Sequence, residues 1–228
     1  MGPSKQHIIS YNGTLHDAHS AVIDADSRAV HYGDGVFETL RARGGRAFRL
    51  DAHLERLLAG VTVLGIARPD VQKLKADLIE VLRANALSDA RVKIVAFRSG
   101  PPGPTPKPDL EPCILIIADP VDPESLRECA AGVRVRTASI RRNTTSPLYA
   151  IKSLNYLDNI MARMKAAEHG DREALFLNER GLAAECATSN LFAVKGGQLL
   201  TPPLAAGALG GITRGVVFEI AGQLKLPC

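Results

Sequence analysis

VFETLRARGGRAFRLDAHLERLLAGVTVLGI, Val36 to Ile66, changes its hydrophobic period part-way along. On either side of Gly44-Gly45 apolar and polar residues alternate, which describes two antiparallel strands joined by a tight glycine turn. From Asp51 the spacing becomes three and four, with Leu54, Leu57, Leu58, Val61 and Leu64 on one helical face. A hairpin running straight into an amphipathic helix requires a mixed α/β fold in which the helix covers the sheet. The flanks repeat the theme. Upstream, HIISYNGTLHDA carries Asn12-Gly13, a strong two-residue hairpin turn. Downstream, VQKLKADLIEVLRANAL sets Leu74, Leu78, Val81 and Leu82 at helical spacing, and RVKIVAFR and CILIIAD read as strands. Between those strands GPPGPTPKPDLEP is too rich in proline for regular structure.

DPVDPESLRE, residues 119–128, places two prolines and four acids after an apolar strand and is expected to be a linker. It divides the chain into an N-terminal α/β domain, 1–118, and a second domain, 129–228. The second domain reads as a strand at 133–140, the loop RRNTTSPLYA, and a helix with Leu157, Ile160, Met161 and Met164 on one face. That helix is expected to be capped by Asn155, with Asp158 three residues on. Strands and turns follow, with Gly196-Gly197 at a bend; AAGALGG then opens a last helix whose apolar face is Val216, Val217, Ile220 and Leu224. The chain stops at LKLPC without an obvious closing element.

With 228 residues, 46% of them hydrophobic, the chain has ample material for a buried core. No apolar run approaches the roughly 18 to 20 residues of a membrane helix, and MGPSKQHIIS lacks the apolar centre of a secretory signal, so the expected location is the cytoplasm. Cys113, Cys129, Cys186 and Cys228 are widely spaced and form no zinc pattern; they read as reduced thiols, and no metal site is expected. The net charge is +4, but the basic residues are interspersed with acids and there is no tryptophan, which argues against nucleic acid as a partner.

Three stretches hold residues suited to chemistry. GALGGITRG, residues 207–215, frees the backbone with glycines and then opens a helix, so it is either a plain helix cap or a phosphate cradle, with Thr213 adding a hydroxyl. It is neither a Walker loop nor a dinucleotide fingerprint. In YAIKSLNYLDN, residues 149–159, Lys152 is either a snorkelling surface cation or an amine kept neutral by burial, for which Ile151, Leu154 and Leu157 offer an apolar wall. In AAECATSNLF, Glu185 stands at a strand end, either solvated or buried against a basic ring nitrogen.

Taken together, HYGDGVFETLR (31–41), HLERL (53–57), IKSLNYLDN (151–159), AAECATSNLF (183–192) and GGITR (210–214) resemble the class IV aminotransferase family in content, order and spacing, over the chain from about Tyr11 to its end. These are the fold-type IV pyridoxal-phosphate enzymes, among them branched-chain and D-amino acid aminotransferases and aminodeoxychorismate lyase. The resemblance implies two α/β domains, an N-terminal α/β sandwich and a C-terminal β-barrel-like domain, with pyridoxal 5′-phosphate in the cleft between them. It implies that Lys152 carries the cofactor as a Schiff base and shuttles the proton at the substrate Cα. It implies that Glu185 pairs with the pyridine N–H, that Arg56 grips the phosphate with Ile212 and Thr213, and that Tyr156 hydrogen-bonds near the 3′-oxygen. Tyr32, Phe37, Arg41, Lys93 and Arg98 fall on the substrate side. A homodimer is implied, with the loop near residues 100–108 reaching toward the neighbour's site.

Within the family, the loop SGPPGPTPKPD offers only Lys107 to a carboxylate, which counts against a D-alanine specialist. The residues favour transfer of an amino group between an amino acid and a 2-oxo acid. Aminodeoxychorismate lyase stands close behind, since the style of GDGVFETLR and of the Lys93–Arg98 strand is shared with lyases. Relatives continue past the last residue here into a threonine-bearing loop, so the second domain is expected to be incomplete. A non-catalytic family member is therefore a further reading.

Overall fold

The computed structural model describes residues 7–20, 23–107 and 110–228; residues 1–6, Pro108 of the proline-rich loop and the side chain of Cys129 lie outside that description. The chain forms two compact units, one made of Met1–Asp122 with Lys152–Leu154, the other of Pro123–Ile151 with Asn155–Cys228.

The first unit is one six-stranded sheet covered by two helices. Its elements are β1 (Ile8–Tyr11), β2 (Thr14–Asp17), α1 (Arg28–Tyr32), β3 (Gly35–Arg43), β4 (Arg46–Ala47), α2 (Leu50–Val63), α3 (Val71–Ala84), β5 (Asp89–Arg98) and β6 (Pro112–Pro120). The strand order is β2-β1-β6-β5-β3-β4, and every pairing is antiparallel. Both hairpins turn where the sequence places them: Asn12 and Gly13 adopt φ of 52° and 82°, Gly44 and Gly45 of 59° and 70°. Two positive-φ residues in succession match the right-handed twist of the strands they join. On β3, Val36, Leu40 and Ala42 face the helices, and α2 presents buried Leu54, Leu57, Leu58 and Val61. A Cβ on Gly60 would stand 2.9 Å from Val36 Cγ1, so a glycine lets α2 lie close on the sheet. The other face of β3 and β5 carries Phe37, Thr39, Arg41, Arg91 and Lys93, and is more polar.

The second unit contains α4 (Pro123–Ala131), β7 (Val135–Arg142), α5 (Leu157–Ala167), β8 (Glu173–Asn178), β9 (Ala183–Cys186), β10 (Ala193–Lys195), β11 (Gln198–Leu200) and α6 (Ile212–Gln223). β8 pairs parallel to β7 and antiparallel to β9, while β10 and β11 form a separate hairpin. Among the described residues the main sheet of this unit runs in the order β7-β8-β9. The division between the two units falls within residues 119–128, between Asp122 and Pro123. Asp119 and Pro120 end β6, and Pro123 opens α4, where a missing N–H costs nothing in the first turn.

The core of the second unit is alanine-rich. Ala162 and Ala166 of α5 pack with Ala138, Ala174, Ala187 and the fully buried Phe176. The expected apolar face of α5 points the other way: Leu157, Ile160, Met161 and Met164 are 70%, 47%, 56% and 62% exposed. Small side chains let the helix approach the sheet, which leaves the long ones outside. The N-cap is Tyr156, without a side-chain cap bond, and not Asn155. On α6 the buried residue is Ala221, while Ile220 and Leu224 are exposed.

Candidate active site

Lys152 is fixed by its backbone before its side chain. Phe37 N donates to the Lys152 carbonyl at 2.8 Å, Leu154 N donates to the Gly35 carbonyl at 2.9 Å, and Ser153 bridges Val36. This strap lies against the start of β3 because Gly35 has no side chain; a Cβ there would meet Ala96 O and Phe97 Cβ at 2.7 Å and Leu154 Cδ1 at 2.9 Å. Lys152 Nζ then stands 4.5 Å from the centroid of the buried Phe37 ring, and Lys93 Nζ stands 4.9 Å from the same ring. One aromatic face-holder thus carries two amines, each within cation–π reach. Phe37, Lys93 and Lys152 are brought together as a set.

Arg56 is engaged on the opposite, helix-covered side of β3. Its Nε donates to Glu38 Oε1 and its Nη2 to Glu38 Oε2, both at 2.7 Å, while His53 Nδ1 lies 2.7 Å from Oε2. Glu38 is fully buried. Burial pushes its carboxyl upward, but the hydrogen bonds from Arg56 and His53 outweigh this and leave it below the usual carboxylate range. Two of the three guanidinium nitrogens of Arg56 are therefore committed to Glu38, which fixes the plane of the group.

The remaining residues expected on the substrate side have other partners. Arg41 forms an exposed fork with Asp89, Nε at 2.9 Å and Nη2 at 2.7 Å. Arg98 is buried; its Nε donates to Asp34 and its Nη1 to the Gly65 carbonyl, and Arg28 shares the same Asp34, so Arg98 ties the loop after α2 to the end of α1. Tyr32 is half-exposed, with its hydroxyl accepting from Gly103 N at 3.0 Å. A cavity of about 250 Å³ in this unit, lined by Tyr11, Asp24, Phe97 and Cys113 among others, includes none of the expected site residues.

In the second unit Glu185 is the organising group. It is 8% exposed, and donors from separate segments converge on it: Arg142 Nη2 on Oε1 at 3.2 Å, Leu209 N on Oε2 at 2.9 Å and Asn190 Nδ2 on Oε2 at 3.5 Å. Asn190 also donates to the Leu209 carbonyl at 2.9 Å, and a Cβ on Gly211 would stand 1.8 Å from Asn190 Oδ1, so glycine is what lets this loop close in. The loop delivers α6, whose first residues are Ile212 and Thr213 and whose N-cap, Gly211, has no side-chain cap bond. The opening N–H groups of α6 thus lack a side-chain acceptor at the cap, an arrangement suited to an anion. Tyr156 donates its hydroxyl to the Ala187 carbonyl at 2.7 Å; burial, reinforced by the negative charge of Glu185, raises its pKa above the ordinary phenol value.

The site residues that sequence reasoning missed are Glu38, His53, Arg142 and Asn190. A signal existed for the first two. Glu38 sits at a core position in the period-two run of β3, and His53 and Arg56 are spaced three apart in HLERL on the helix that covers it. Arg142 and Asn190 carry no local signature.

These blocks coincide with a known family: the one described as amino-transferase class IV matches residues 35–228. The chain belongs to the class IV aminotransferase family. It is 38% identical over 218 residues to a putative branched-chain-amino-acid aminotransferase of Methanocaldococcus jannaschii, covering 94% of this chain and 75% of that one. It is 33% identical over 226 residues to an aminodeoxychorismate lyase of Bacillus subtilis, covering 96% and 75%. Among solved structures, the Escherichia coli branched-chain amino acid aminotransferase superposes with a TM-score of 0.89 at 28% identity, over 98% of this chain and 76% of that one. A branched-chain aminotransferase of T.th. complexed with N-(5′-phosphopyridoxyl)-L-glutamate gives 0.87 at 28% identity, over 98% and 75%. As a class IV aminotransferase the chain is a member of an enzyme family with a mixed α/β fold.

Proposed function

We propose that this class IV aminotransferase uses pyridoxal 5′-phosphate to move an amino group between an amino acid and a 2-oxo acid. The observation that carries the reading is Lys152: its carbonyl and the two residues after it are bonded to the start of β3, and its Nζ rests on the Phe37 ring. A side chain that must return to one position after each reaction needs such a fixed root.

The residues fit the cofactor. Glu185 is buried and held by donors from three segments, as a carboxylate facing a ring nitrogen needs to be. The Ile212 and Thr213 N–H groups and the Thr213 hydroxyl would hold the phosphate at the start of α6, with Arg56 as a further phosphate ligand oriented by Glu38. Tyr156 would stand beside the ring's 3′-oxygen. When bound, the cofactor supplies an electrophilic carbon and a ring that accepts the electron pair released at the substrate Cα. Lys152 Nζ would hold the group, and its amine would take the proton from the substrate Cα and return it. Glu185 would keep the ring nitrogen protonated. Lys93, whose amine shares the Phe37 ring, offers a positive charge to a substrate carboxylate. Tyr32 and Phe37 would bound the same side. Arg41 and Arg98, already paired to aspartates, support the frame instead.

The test is direct. The purified protein should carry a visible absorption band, and borohydride should fix the group on the Lys152 peptide; a Lys152→Ala protein that still holds it covalently would sink the assignment. The 33% identity to a lyase over 96% of the chain keeps the second reading, release of pyruvate and 4-aminobenzoate from aminodeoxychorismate. Amino transfer from a branched-chain donor to 2-oxoglutarate supports the first reading, and product from aminodeoxychorismate alone supports the second. We also propose a homodimer. Support comes from the exposed apolar row on α5, which water leaves unpaired; a light-scattering mass of one chain would overturn it.

A further inference from the structure

Arg142 ends β7 and is 4% exposed. Its guanidinium carbon lies 4.5 Å from the centroid of the Tyr149 ring and 4.1 Å from that of Phe176. Nη2 donates to Glu185, and Nε is buried with no hydrogen-bond partner. The surrounding structure is arranged to keep the cation there. Tyr149 is held by its own hydroxyl, which donates to Asp158 at 2.9 Å. Gly207, at φ +94°, takes a conformation that L side chains rarely adopt, and a Cβ there would stand 3.1 Å from Arg142 Cβ.

For stability alone this is a poor arrangement. A buried guanidinium with an unsatisfied donor is expensive, and an apolar side chain of similar size between two rings would be tolerated at least as well. The cation has meaning through the group it touches. Without Arg142, Glu185 would be a buried carboxylate that has lost the guanidinium donating to its Oε1, and burial without that cation drives a carboxylate toward its protonated form. A protonated carboxyl offers its own hydrogen to a ring nitrogen and no longer holds that nitrogen in the protonated form. We infer that Arg142 is a positioning residue that keeps Glu185 ionised and oriented toward the cofactor's ring nitrogen, a role that rests on the reading of Glu185 given above.

The experiment uses the holoenzyme reconstituted with pyridoxal phosphate labelled with nitrogen-15 in the ring, whose chemical shift reports the protonation of that nitrogen. In the wild type the signal should be that of a protonated pyridine. Arg142→Met should move it toward the unprotonated form and slow the half-reaction with amino acid about 10- to 100-fold, the usual scale for a residue acting through its neighbour. Arg142→Lys, which keeps the charge, should retain the wild-type signal. The double variant Arg142→Met with Glu185→Gln should match Glu185→Gln alone, because both act on one hydrogen bond. If Arg142→Met does not fold, Arg142→Gln takes its place in the same comparison. A wild-type signal in the neutral variant, or additive shifts in the double variant, would overturn the role of Arg142. Failure of the wild-type protein to bind pyridoxal phosphate at all would overturn the underlying reading instead.

Discussion

Replacing Glu38 by glutamine removes one negative charge from the most enclosed ion cluster in the first unit. Glu38 has no exposed surface, and its partners are nearly as enclosed, with 16% of the Arg56 side chain and 8% of the His53 side chain exposed. In Glu38→Gln one oxygen still accepts, but the new NH2 group faces donors of Arg56 or His53, and a guanidinium is left without its counter-charge. Breaking a buried pair from one side costs about 3 to 5 kcal/mol. At roughly 2 to 4 °C per kcal/mol for a chain of this size, the melting midpoint should fall by about 10 °C. Urea and thermal unfolding followed by circular dichroism at pH 7 measure this. Acid provides a second check. The folded-state carboxyl titrates below its ordinary value of 4.5, so its contribution is complete above that pH and is lost as the pH falls through the lower, folded-state value. The gap between wild type and Glu38→Gln should therefore narrow below about pH 4.5. A loss under about 1 kcal/mol at pH 7, or a gap that widens in acid, would refute the assignment of Glu38 as an ionised anchor of Arg56.

Gly35→Ala should cost about 1 to 3 kcal/mol by overpacking, because the added Cβ meets backbone and Phe97 at 2.7 Å; the readout is the unfolding midpoint together with loss of visible absorption as the Lys152 strap shifts. Phe176→Ala empties the centre of the second unit and should cost about 3 to 5 kcal/mol in chemical denaturation. Burial, with the charge of Glu173 beside it, pushes the Cys186 thiol up to about 11, whereas Cys228 is exposed. Iodoacetamide at pH 8, followed by peptide mapping, should therefore label Cys228 while Cys186 stays unmodified until the protein unfolds.

The first unit was largely legible because its signals are local. Asn12-Gly13 and Gly44-Gly45 dictate their own turns, and the leucines of α2 and α3 match a sheet face large enough to bury them. The same logic failed for α5. Spacing identified a stripe of Leu157, Ile160, Met161 and Met164, but which face of a helix is buried depends on its partner, and here alanines meet a sheet bearing Ala138, Ala174 and Phe176. Among the candidate site residues, Lys152 and Glu185 stood out through ordered motifs. The ion pair at Glu185 did not, since Arg142 lies 43 residues away and nothing in either neighbourhood names the other. Nor did sequence spacing show the aspartate partners of Arg41 and Arg98, which lie 48 and 64 residues away.

The bridge between Val36 and Ser153 also bears on the order in which the molecule is made. Joining residues so distant in sequence closes a long loop, a step that waits until the β3–β5 ladder exists to receive it. During synthesis β3 emerges long before the lysine does. Lys152 therefore takes its seat on the Phe37 ring only in a chain whose first sheet is already built, and in a nascent or misassembled chain its side chain has no fixed place.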